Sequence, residues 1–110
     1  MKTATKMAVA ISPAGSVELI DLSSGSLEKL QTAVGGWVQA IELSNELTLW
    51  CNEEGKMIGL EHNPLAQHLW DRAFGAGTDY IVGTVVLTGG TDDEGDTIGI
   101  TEEQILSLFK

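Results

Sequence analysis

Apolar and polar positions alternate with two different periods along this chain, and the changes of period mark its elements. Met7–Ile11 and Val17–Leu22 are aliphatic runs of strand length separated by the turn formers Ser12-Pro13-Ala14-Gly15-Ser16, which predicts an N-terminal β-hairpin. Ser23-Ser24-Gly25-Ser26 ends the second strand and supplies an N-cap. Leu27, Leu30 and Val34 then recur at helical spacing with Glu28 in the first turn, so a short helix is expected from Leu27 to Val34. Gly35-Gly36 stops it. Trp37, Ile41 and Leu43 fall on one face at period two, which predicts a central strand over Trp37–Leu43.

The most distinctive local signal follows. Leu47–Cys51 and Met57–Leu60 are short apolar runs flanking Asn52-Glu53-Glu54-Gly55, whose Asn and Gly tolerate positive φ, so a second hairpin with its tip at Asn52–Gly55 is expected. Asn63-Pro64 is a strong helix start, and Leu65, Ala66, Leu69, Trp70, Ala73 and Phe74 give that helix a broad apolar stripe. Tyr80–Leu87 is apolar on both faces and so belongs inside the sheet, with Gly83 marking a bulge or a close approach by backbone or ligand. Thr88–Gly99 reads as an acidic, Gly-rich loop. Thr101-Glu102-Glu103-Gln104 has the form of a capping box, and Ile105, Leu108 and Phe109 give the last helix an apolar side.

The order β-β-α-β-β-β-α-β-α argues for an α+β domain, a mostly antiparallel sheet with two or three short helices packed on one side. A chain of 110 residues makes one domain, residues 1–110. Its longest apolar runs fall short of the roughly 20 residues that span a bilayer, and Met7–Ile11, interrupted by Pro13, is too short for a signal sequence. A cytoplasmic protein without a membrane role is therefore expected. The single Cys51 fits that compartment, since it allows no intrachain disulfide and no thiolate cluster for zinc.

Charge changes the picture more than size does. The net charge is −10, and between Ala73 and Phe109 there is no Lys or Arg while Asp79, Asp92, Asp93, Glu94, Asp96, Glu102 and Glu103 are all acidic. Such a field repels nucleic acid and anionic membrane and attracts basic surfaces or cations, although acidity also serves solubility alone. The mutual repulsion of Asp92, Asp93, Glu94 and Asp96 suggests a mobile loop that a basic partner would settle. Glu53 and Glu54, on the expected hairpin tip, form a second carboxylate pair suited to an Arg-rich surface.

The residues also carry a family resemblance. Val34-Gly35-Gly36-Trp37, Asn52-Glu53-Glu54-Gly55-Lys56, Gly59-Leu60 before Asn63-Pro64-Leu65-Ala66, Ile81-Val82-Gly83-Thr84, and Asp93-Glu94-Gly95 before Gly99-Ile100-Thr101 resemble, in order and spacing, an uncharacterised family, domain of unknown function 3846. The resemblance covers about residues 34–104. Members are spread through phages, plasmids and bacterial genomes, and the family brings no established reaction or catalytic residue. What the resemblance implies is an accessory protein of a mobile element.

Chemistry is sparse. Cys51, His62 and Asn63 have the residue types of a thiol hydrolase, but Cys51 alternates with Leu47 and Leu49 on an apolar face, where a free Cys is a packing group. His62 and His68 lack the i,i+4 spacing of a helical zinc pair, and Asp92–Asp96 lacks the alternating ligands and terminal Glu of an EF-hand loop. No catalytic residue, metal or cofactor is therefore assigned. The leading expectation is a non-enzymatic binder of a host or defence protein with a basic surface, using Glu53, Glu54, Asp92, Asp93, Glu94 and Asp96. The alternative is a small-molecule binder, for a nucleotide-like signal, or an ion binder, with Gly35, Gly36 and Gly83 letting a ligand approach the backbone. An unpaired sheet edge would be buried in a homodimer.

Overall fold

A computed structural model describes residues 6–23 and 26–108. Its sheet contains β1 (Met7–Ile11), β2 (Val17–Asp21), β3 (Val38–Ser44), β4 (Leu47–Asn52) and β5 (Val85–Gly89) in the spatial order β2-β1-β5-β4-β3. Every pairing is antiparallel. Three helices complete an α+β fold: α1 (Ser26–Val34), α2 (Pro64–Phe74) and α3 (Glu102–Leu108). The expected cap of α1 and the contribution of Phe109 to α3 lie outside the described residues.

The helices do not share one side of the sheet. Val9, Ile11, Leu49, Val85 and Leu87 pack against Ala66 and Leu69 of α2 and Leu108 of α3, whereas Ala8, Ala10 and Val86, on the opposite face, pack against Leu22 and against Leu30 and Val34 of α1. The reason lies in β1 and β5, which are apolar at successive positions and so have two faces to cover.

Two strand expectations change with the topology. β3 is an edge strand rather than a central one, and Trp37, just ahead of it, is 68% exposed. The second expected hairpin does not form, because β4 already has β3 on one side and β5 on the other. Asn52–Gly55 still turns, but Met57–Leu60 continues as a coil of turns in which the Ile58 amide donates to the Glu54 carbonyl. β5 also starts later than expected. Gly83 has φ 75°, which interrupts the strand and leaves Val82 in a single bridge to His62.

Asn63 anchors α2 as its sequence suggests. It is fully buried, its Oδ1 accepts the Ala66 amide at 3.1 Å, and its Nδ2 donates to the carbonyls of Ile11 and Gly83 at 2.9 Å each. One side chain thus caps the helix and ties it to the sheet. From there α2 reaches out to β3 and brings Leu65 and Trp70 toward Ile41 and Leu43.

Candidate functional site

Beyond Gly89 the acidic segment folds as a hairpin of its own rather than as an open loop. Gly89 donates to the Ile98 carbonyl at 2.9 Å, Ile98 donates back to Gly90 at 2.8 Å, and the arms bridge at Thr91 and Thr97. At the tip, Asp92 Oδ1 accepts the amides of Glu94 and Asp96, both at 2.9 Å, forming an Asx turn. Backbone amides thereby fix the Asp92 carboxylate and the turn that carries the other acidic side chains. Asp92, Glu94 and Asp96 each bring a carboxylate oxygen to within 4.8 Å of the others, and these three and Asp93 are exposed. Among the described residues this trio is the one grouping of metal-ligand type, with one Asp92 oxygen already engaged by two amides.

The base of this hairpin is tightly seated. A Cβ at Gly90 would collide with the Asn45 carbonyl oxygen, and one at Gly89 would lie 2.7 Å from the Gly99 carbonyl oxygen. Only glycine permits that approach. Beside it, Thr101 and Gln104 form the expected capping box, with Thr101 N–H to Gln104 Oε1 at 2.9 Å and Gln104 N–H to Thr101 Oγ1 at 3.1 Å. The Gln104 side-chain Nε2 donates to the Glu46 carbonyl at 2.6 Å, fastening α3 to the β3–β4 turn.

Glu53 and Glu54 are exposed, but they stand at the other end of β4. Six strand residues separate them from the hairpin base by roughly 20 Å, so the two acidic groups expected from sequence do not make one surface. The three glycines divide as well. Gly35 ends α1 at φ 81° and lines an open depression of about 390 Å³ with Gly59, Leu60 and Gly83. Gly36 faces elsewhere, against the Asn52 side chain, and a Cβ on Gly83 would meet Leu60 at 2.7 Å. The close approaches at Gly36 and Gly83 are thus made by the chain's own residues.

A cleft that sequence reasoning missed lies between α2, the 53–59 turn and β3. It encloses about 420 Å³ and is lined by Gln39, Ile41, Cys51, Met57, Trp70 and Tyr80 among others, with the Lys56–Asp79 ion pair at its wall. Lys56, and after it the Tyr80 amide, lowers the Asp79 pKa. Cys51 shares the apolar face of Leu47 and Leu49 as expected, and burial, followed by the Asp79 charge, pushes its thiol pKa up. A thiol so placed is a poor nucleophile. His62 stacks on Tyr80 with centroids 4.6 Å apart and contacts Gln67 Oε1 at 3.2 Å, which makes it structural support for the cleft. Tyr80 and Met57 each sit in an apolar run that resembles a strand; the signal present in the sequence was the glycine inside each run, Gly59 and Gly83, which takes positive φ and breaks it.

The fold and these surfaces define a small α+β domain with a five-stranded antiparallel sheet, covered on both faces and carrying an acidic hairpin. The chain belongs to the family described as Domain of unknown function (DUF3846), whose model matches residues 5–110. The match takes in the N-terminal hairpin and α1 as well as the motifs from Val34 onward. No curated protein and no solved structure matches the chain. No helix among the described residues is long and apolar enough to cross a membrane.

Proposed function

We propose that this chain is a non-enzymatic binding protein of a phage or other mobile element, acting in the host cytoplasm on a host or defence protein with a basic surface. The mobile-element origin rests on the family resemblance. The observation that carries the binding reading is the acidic hairpin, whose own amides hold the Asp92 carboxylate and so order a turn that puts Asp92, Glu94 and Asp96 close together on an exposed tip. Among the described residues three cations are engaged away from the tip: Lys29 donates to the Asp21 carbonyl, Lys56 pairs with Asp79, and Arg72 donates to the Leu108 carbonyl, while the backbone of Lys6 adjoins Gly99 at the base of the hairpin. A basic surface therefore gains attraction at the tip, and the same field keeps nucleic-acid phosphates away.

Replacing Asp92, Asp93 and Asp96 by Asn and Glu94 by Gln together tests this. Association with a partner captured from host lysate should slow, its salt dependence should flatten, and thermal stability should hardly change, because exposed charges act over about 8 Å at physiological ionic strength. An unchanged rate and salt dependence would refute the role of the tip. A second reading, a small-molecule binder, is favoured by the 420 Å³ cleft beside Trp70 and Tyr80, a volume within the range of ligand sites. Mass spectrometry of molecules released on heat denaturation distinguishes it.

A further inference from the structure

The two outer edges of the sheet differ in how their free backbone groups are treated. Residues opposite each other in an antiparallel pair alternate between mutually hydrogen-bonded and non-bonded positions. Glu53 donates its amide to the Trp37 carbonyl at 2.8 Å, so Gln39 and Ile41, two and four residues on, also direct their backbone groups toward β4. Val38, Ala40 and Glu42 consequently present N–H and C=O outward. At the other edge, the Leu22 amide donates to Lys6, which by the same count turns Val17, Leu19 and Asp21 outward. There the Lys29 ammonium covers the Asp21 carbonyl at 2.8 Å, a lysine guarding an edge. Among the described residues nothing comparable covers β3, the longest strand of the sheet.

The surroundings of β3 specify what would pair with it. Gln39 and Ile41 belong both to the strand and to the wall of the cleft, so the edge and the cleft are continuous. Trp37 at the head of the strand, and Met57 and Tyr80 in or beside the cleft, are 68%, 84% and 55% exposed, and offer apolar surface to alternate side chains of an added strand. The charges near this edge are Glu42, Glu46, Glu53 and Glu54, all exposed, while Lys56 is held by Asp79. A second copy of this chain would bring like charge to like charge. We infer that β3 is a docking edge for an extended, lysine- or arginine-bearing segment of a partner protein, which adds to the sheet as a sixth strand. Main-chain bonds to Val38, Ala40 and Glu42 supply the pairing, and the carboxylates supply the charge preference. This rests on the basic-partner reading above and adds to the acidic tip, which attracts the partner, a second contact at the strand edge, which binds one extended segment of it.

The probe is a capped peptide of alternating lysine and valine, compared with the same peptide carrying glutamate for lysine, each titrated into the isotopically labelled full chain. The lysine peptide should shift the backbone amide resonances of Val38, Ala40 and Glu42 saturably and slow their hydrogen exchange, and the glutamate peptide should do neither. Ala40→Pro removes an outward donor at a position where an edge strand tolerates proline. It should weaken lysine-peptide binding by about tenfold, the worth of one or two main-chain bonds. A lysine peptide N-methylated at alternate residues should fail in the same way on the unaltered protein, which covers the case of an unfolded Ala40→Pro. Resonance shifts confined to Asp92–Asp96 would overturn the edge while leaving a basic partner in place. Equal binding of the glutamate peptide, or self-association of the free chain through β3, would overturn the basic partner. No binding of either peptide would overturn the inference itself.

Discussion

The two faces of the sheet solve the same packing problem with different side chains. On one face Val9, Ile11, Val85 and Leu87 of the inner strands β1 and β5 are all branched, and α2 and α3 spread over them; on the other β1 contributes only Ala8 and Ala10, beside Val86 and Trp50, and α1 settles across β3, β4 and β5. The first face depends on how much apolar volume it fills. The second depends on how little room is left. A difference of this kind makes the two faces fail in opposite directions when side-chain size is changed.

Truncation should be felt most on the first face. Leu69→Ala removes a buried side chain from the contact between α2 and the sheet, and should cost about 2–5 kcal/mol by denaturant titration. An unchanged midpoint would mean that α2 is not held by this stripe. Enlargement should be felt on the second face. Ala8→Leu, at a position with no exposure in the cluster of Leu30 and Val34, should cost about 1–3 kcal/mol, whereas stabilisation would show that α1 leaves a void there.

The smallest effect concerns Cys51, at the rim of the first face. Its thiol pKa is raised in the folded state, so the thiol form is favoured in the fold and stability should decline only as pH climbs above the unfolded value, near 8.5. At neutral pH, alkylation should be slower than for a free thiol, and Cys51→Ala should leave binding activity intact. Rapid alkylation of the folded protein would show instead that the thiol is activated by its cleft.

Much of this architecture is legible in the chain because local chemistry and tertiary context agree. Asn63-Pro64 starts α2, Gly35 stops α1, and Thr101 with Gln104 caps α3, each by a short-range bond that the residue types announce. Of the apolar run Tyr80–Leu87, the second half correctly signals an interior strand, since Val85–Leu87 lies in the central β5, while Tyr80–Thr84 stays outside it. Met7–Ile11 carries the same signal of two buried faces, which the expectation of helices on one side left unused. What local pattern does not encode is competition for partners. Leu47–Cys51 and Met57–Leu60 look like a hairpin until β5, distant in sequence, takes the place beside β4. Likewise, Trp37 keeps period two with Ile41 and Leu43, but it falls past the end of an edge strand, where nothing described covers it. The acidic tip was visible as charge. Its ordering by Asp92 was not, because an Asx turn depends on a side chain folding back on its own backbone.

The glycine at position 90 has a consequence for how related chains should vary. Its backbone rests against the Asn45 carbonyl with no space for even a methyl group, while the tip beyond Thr91 and Thr97 touches no other element through the bonds that order it. The hinge and the blade therefore face separate constraints. Across relatives, position 90 is expected to stay glycine whatever else changes, and the Asp93-Glu94-Gly95 turn to keep its distance from Gly99, so that substitutions gather at the exposed carboxylates on either side of that turn.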